Sequence, residues 1–141
     1  MQERSAGTVL FNENDGKVEY LLLHYPTGHW DFAKGNIEKG EAELATVRRE
    51  VREETSIDNI EFMDGFRKKI AYNYKRRGKL VNKEVIFYLA KTNTKNVKLS
   101  FEHQGYRWLT YDGAMKILTY KNAKMILEEA NKFLSSNKGK S

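Results

Sequence analysis

The sequence predicts a single α+β domain, a mixed β-sheet sandwiched between helices, and three observations lead there. At 141 residues the chain fits one domain built around one core. A 40% hydrophobic content with seven Phe, two Trp and eight Tyr suits a folding globule and excludes a disordered or collagen-like chain. Short apolar runs bounded by turn residues recur along it, with one internal and one terminal stretch of helical periodicity.

Taken in order, residues 6–11 and 18–24 read as strands joined by the turn sequence Asn-Glu-Asn-Asp-Gly at 12–16, a hairpin signal. From Pro26, the only proline, to Gly40 the chain is glycine-rich and irregular. Residues 41–55 then read as a helix, with Leu44, Val47 and Val51 as its apolar stripe. Two further strands are expected at 60–74 and 84–90, linked by a mobile basic loop at 75–82. Past a second loop at 92–96 come a strand at 106–109 and a helix over 121–133. The domain is expected to span 1–135, with 136–141 as a flexible tail. Trp30 and Trp108 are expected in the core.

Composition narrows the chemistry. Zero cysteines exclude a disulfide framework, a thiolate nucleophile and cysteine-ligated zinc. Residues 1–6 show no apolar run of the kind that follows a signal peptide's charges, and no apolar run reaches membrane-spanning length. A cytoplasmic protein without a membrane partner is expected. The net charge of +6 suits a polyanionic ligand. That charge is divided along the chain. Residues 35–57 hold six acids and four bases, or −2, so the remainder carries +8, much of it near residues 67–83.

On the internal helix Glu50, Glu53 and Glu54 stand at i, i+3 and i+4 and share one face, about 90° from the apolar stripe. Like charges this close in a desolvated cleft are costly, and a hard divalent cation bound through oxygen is the natural compensation, so magnesium or manganese is expected. A solvated face paired with Arg48, Arg49 and Arg52 would explain three glutamates alone. The preceding stretch, Lys34-Gly35-Asn36-Ile37-Glu38-Lys39-Gly40-Glu41, shifts the balance, because its glycines permit close approach of backbone to a phosphate or metal.

Gly35, five residues, Glu41, seven residues, then Arg49-Glu50-Val51-Arg52-Glu53-Glu54-Thr55-Ser56-Ile57 resembles the Nudix box at six of its seven fixed positions and at its aliphatic ones. With residue usage of roughly 5 to 10% each, six such agreements arise by chance about once in a million or less. The departure is Ser56, where that family usually has glycine to leave the helix in a left-handed conformation; serine there costs at most about 1 kcal/mol. The Nudix fold is therefore expected.

Within that superfamily the chain is most similar to the asymmetrical diadenosine tetraphosphate hydrolases, the bis(5′-nucleosyl)-tetraphosphatases. The matching pieces are His29-Trp30 with Lys34-Gly35, Gly65-Phe66 ahead of Tyr72, Lys83 before the strand at 85–90, and Ser100-Phe101-Glu102-His103-Gln104-Gly105-Tyr106-Arg107-Trp108-Leu109. Phe32-Ala33 stands where the family usually has prolines. The resemblance implies metal-dependent hydrolysis of diadenosine tetraphosphate to ATP and AMP by attack of water on a phosphorus. It implies Glu50, Glu53, Glu54 and Glu102 as metal ligands, one of the acids being the base, and Arg49 as the residue that orients a glutamate. Tyr72 and Tyr120 would flank a base, Lys83, Lys34 and His29 would contact the phosphates, and His103, in the motif of Glu102, would also belong to the substrate site. The expected enzyme is a monomer needing no nucleic-acid partner. Two alternatives stay open: a pyrophosphohydrolase acting on RNA 5′ ends or on nucleotide or inositol pyrophosphates, and a non-catalytic nucleotide sensor.

Overall fold

A computed structural model describes residues 2–138, with side chains through 136. Strands β1 (Gln2–Asn14) and β2 (Lys17–His24) form the expected hairpin, turning at Asp15 and Gly16, both with positive φ. Such a turn matches the right-handed twist of its flanking strands. The segment between residues 26 and 40 is more ordered than its glycines suggest. It contributes β3 (Trp30–Asp31) and β4 (Ala33–Asn36), two short strands that lack the length for a visible alternation. Helix α1 (Glu43–Thr55) follows, then β5 (Glu61–Arg76), β6 (Lys79–Lys91), β7 (Gly105–Leu109), α2 (Tyr111–Ile117) and α3 (Lys121–Lys138).

Four expectations are corrected. The basic stretch 75–82 is not a loop: β5 and β6 run paired to a two-residue turn at Arg77 and Gly78, both with positive φ. Solvated Lys and Arg side chains hid a hairpin whose backbone ladder continues beneath them. Helix α2 was not anticipated, being too short to show a period. Leu44 is 41% exposed, because it sits in the first turn of α1; the buried positions there are Thr46, Val47, Val51, Glu54 and Thr55. Helix α3 continues past residue 133 to Lys138, and the rest of the expected tail, 139–141, lies outside the described residues.

The described strands form one seven-stranded mixed sheet in the order β3-β2-β1-β6-β5, with β4 added to β1 and β7 to β2. β1 runs parallel to β6 and antiparallel to β2 and β4. Alternation along the central strands sends residues to opposite faces. Val9, Phe11, Tyr20, Leu22, Val85 and Phe87 pack with Ala123, Ile126, Leu127 and Ala130 of α3. Leu10, Leu21, Leu23 and Ala90 pack with Val47 and Val51 of α1. The result is a sheet between helical layers, as expected. Trp30 packs half-buried against the first cluster and Trp108 against the second. Among the described residues no helix is long and apolar enough to cross a membrane.

Candidate active site

Helix α1 lies against β4, and its acids grip that strand's backbone. The Glu50 carboxylate occupies the space beside Gly35, where a Cβ would fall 2.0 Å from Glu50 Cδ. Glu54 Oε1 accepts a hydrogen bond from the Lys34 backbone N–H at 3.1 Å. Glu53, the third acid of the face, points outward and remains mostly exposed. One arginine organises the group. Arg49 donates to both oxygens of Glu41 at 2.8 and 3.0 Å, to Glu50 Oε1 at 2.8 Å and to the Asn36 carbonyl at 2.9 Å. Those charged bonds pull Glu41 down to about 2.

At the far end of α1, Ser56 adopts the left-handed conformation, φ 66°, and its N–H closes on the Arg52 carbonyl at 2.9 Å. Its hydroxyl donates to the Lys98 carbonyl at 3.1 Å, so serine fills the glycine position and ties the helix end to the distant loop between β6 and β7. That loop carries Glu102 and His103. Glu102 is exposed, though close enough for its charge to reach Glu54, whereas His103 is buried. His103 Nδ1 lies 2.9 Å from Ser100 Oγ. Its Nε2 stands 3.1 Å from Glu54 Oε2 but out of line for a hydrogen bond, so this buried nitrogen has no hydrogen-bond partner.

Burial, reinforced by the charge of Glu54, pushes Glu50 up to about 7, against the opposing pull of Arg49. Burial likewise raises Glu54, more than His103 and the Lys34 amide lower it. Two oxygen donors therefore sit one helical turn apart, repelling each other, in a place from which water is partly excluded. A hard divalent cation fits that donor chemistry and removes the repulsion. Among the described residues no three acidic or histidine side chains converge into a ready-made cage. Glu50 and Glu54 are the pair in place; Glu53 and Glu102 flank it from exposed positions.

Beside the acids opens a cavity of about 540 Å³ lined by His29, Asp31, Lys34, Tyr72 and Tyr120, with Phe87 at its base. His29 lies between two rings, stacked on Tyr25 at 4.7 Å and tilted toward Tyr120 at 5.2 Å. Lys83 pairs directly opposite Tyr72 in the β5–β6 ladder, which sends both side chains to one face. Its pKa is lowered, first by burial and then by the charge of Lys34.

Two residues went unassigned in the sequence. Asp31 is buried, accepts the Phe32 N–H at 2.7 Å and holds the Lys34 ammonium at 3.0 Å. Tyr25 donates to the Phe32 carbonyl at 2.6 Å and meets His103 edge-on at 4.7 Å. Asp31 lies in the irregular segment and Tyr25 just before it, where no period marks them; adjacency to His29-Trp30 and Lys34-Gly35 was the only available signal.

Comparison with known proteins gives a consistent picture. The family model described as NUDIX domain matches residues 1–129. The chain is 37% identical over 148 residues to a Mus musculus protein named bis(5′-nucleosyl)-tetraphosphatase [asymmetrical], covering 96% of this chain and 98% of the relative. It is 36% identical, with the same coverage, to the Sus scrofa protein of that name. Its fold is similar to the crystal structure of a C. elegans Ap4A hydrolase binary complex, with a TM-score of 0.84 and 32% identity over 95% of this chain and 98% of that one.

Proposed function

From the premise that this chain belongs to the NUDIX family, and is a hydrolase, we propose that it cleaves diadenosine tetraphosphate into ATP and AMP. Support comes above all from Lys34, whose backbone amide holds Glu54 while its ammonium lines the aromatic cavity. A single residue thereby joins a place for carboxylate chemistry to a place for a base and its phosphates.

In this reading Tyr72 and Tyr120 flank one adenine, and Lys34, Lys83 and His29 meet phosphate oxygens, with His103 on the side of the acids. Asp31 holds the Lys34 ammonium in place at the cavity. Hydrolases of this family use divalent metal ions, and here Glu50, Glu53, Glu54 and Glu102 would hold them, as Mg²⁺ or Mn²⁺. Such ions neutralise charge developing on the phosphoryl oxygens and lower the pKa of water. Arg49 fixes the Glu50 carboxylate through its charged hydrogen bond, so the acid needs no reorganisation on substrate entry. Water oxygen bonds to one phosphorus, the bridging P–O bond breaks, and the water's proton passes to a carboxylate of the set. A monomeric, cytoplasmic enzyme needing no nucleic-acid partner belongs to the same proposal.

The test is product analysis in ¹⁸O-labelled water with Mg²⁺ or Mn²⁺. Unequal products, ATP and AMP, with the label on one of them, are expected. Two molecules of ADP, no turnover, or a preference for triphosphorylated RNA over the dinucleotide would overturn the proposal.

A further inference from the structure

The cavity accounts for one nucleoside of a dinucleotide, and the phosphate chain must then cross the acids and carry the other nucleoside beyond them. What stands there is the turn at residues 100–103. The His103 N–H donates to the Ser100 carbonyl at 3.2 Å, which places Phe101 and Glu102 at the turn's two corners. The turn is anchored on both sides. The Ser100 N–H donates to the Glu54 main-chain carbonyl at 3.2 Å, the Lys98 N–H to Thr55 at 2.9 Å, and the Gln104 N–H to His24 at 2.8 Å.

Its position relative to the cavity follows from Tyr25. That ring stacks on His29, a cavity residue, with one face and meets His103 of the turn edge-on. Glu54 likewise touches Lys34 of the cavity on one side and His103 on the other. Glu54 thus lies between the cavity and the turn.

At the corner of this anchored turn Phe101 is 98% exposed and belongs to neither core cluster. Turn corners favour proline and small polar residues, and a phenyl ring held wholly in water contributes nothing to the fold. An aromatic face is what a nucleobase needs, and stacking is tolerant of base identity because every base has a π-face.

We propose that Phe101 is the stacking platform for the second nucleobase of the dinucleoside polyphosphate. The inference rests on the proposed function and deepens it: this subsite selects for the presence of a second base and accepts purines and pyrimidines alike.

Diadenosine tetraphosphate and adenosine 5′-tetraphosphate, which keeps the phosphates but lacks the second nucleoside, separate this role from any other. Each is measured as substrate or as competitor with the native protein, Phe101→Ala and Phe101→Trp. Phe101→Ala is expected to weaken apparent affinity for the dinucleotide about tenfold relative to the mononucleotide, and Phe101→Trp to restore the native ratio. An unchanged ratio in Phe101→Ala, with the dinucleotide still hydrolysed, overturns this inference and leaves the proposed function standing. No hydrolysis of the dinucleotide by the native protein overturns both.

Discussion

The Glu50 carboxylate fills the space above Gly35 so closely that a Cβ there would lie 2.1 and 2.4 Å from its two oxygens. Because those atoms are the far end of a flexible side chain, Gly35→Ala can be accommodated by swinging Glu50 aside at little cost to the fold. The displaced carboxylate also leaves Arg49. Steady-state kinetics should show kcat reduced about a hundredfold, while thermal melting shifts by only a few degrees. Native kcat in this variant would mean that the Glu50 position is irrelevant to turnover.

Metal removal and pH are coupled at the same residue. Glu50 is raised from 4.5 to about 7, so between those values the folded chain binds more protons than the unfolded one. Its contribution to stability is full below about pH 4.5 and is lost as pH rises through about 7. Glu41 and Glu43 have the opposite sign: held down to about 2, their contribution is present above about 4.5 and lost as pH falls toward 2. Melting curves in chelator should therefore peak near pH 5 and decline toward pH 8, and added Mg²⁺ should recover several degrees at pH 8 and little at pH 5. A chelator curve that climbs steadily to pH 8 would contradict the assignment.

The box was legible because its fixed positions are spaced by the geometry of one helix and one strand, and the left-handed helix end at Ser56 was legible only through the glycine the family usually has there. The β1–β2 hairpin was visible as two continuous apolar runs on either side of a turn signal. What stayed hidden depended on contacts distant in sequence. β4 has four residues and takes its order from pairing with β1, and Asp31 has a role only because Lys34 folds back on it. Exposure was equally unreadable: Leu44 lies at helical spacing from Val47 and Val51 yet is 41% exposed, while Thr46 beside it in the first turn of α1 is fully buried.

Arg49 makes several bonds with a single planar head. It reaches Glu41 through Nε and Nη2 and Glu50 through Nη1, a fork that a lysine ammonium cannot reproduce. Arg49→Lys keeps the charge and loses the geometry. We expect kcat to fall about ten- to a hundredfold with a modest loss of thermal stability, and an activity equal to native would show that charge alone suffices.

Glu54 is held by the Lys34 amide through an oxygen that glutamine also possesses. Burial opposes its ionisation, so Glu54→Gln removes a charge the fold does not favour. The variant should melt at or slightly above the native temperature, while turnover drops about a thousandfold or more because an anionic oxygen is gone. If melting and activity collapsed together, Glu54 would instead be a structural acid.

Tyr72 projects from β5 at 37% exposure, and its neighbours in the ladder, Lys83 across and Tyr74 at 6.4 Å ring to ring, do not enclose it. A ring this open contributes little to the core, so its removal should register in binding. Stacking on a base is worth about 1–3 kcal/mol, which corresponds to roughly a tenfold or greater rise in KM for Tyr72→Ala with kcat nearly preserved. Tyr72→Phe keeps the face and should keep the native KM. The opposite pattern, an unaltered KM with a lowered melting temperature in Tyr72→Ala, would return this tyrosine to the sheet and leave Tyr120 alone at the adenine. Comparing the two tyrosines then decides between a sandwich, in which either loss raises KM, and a single platform, in which only one does.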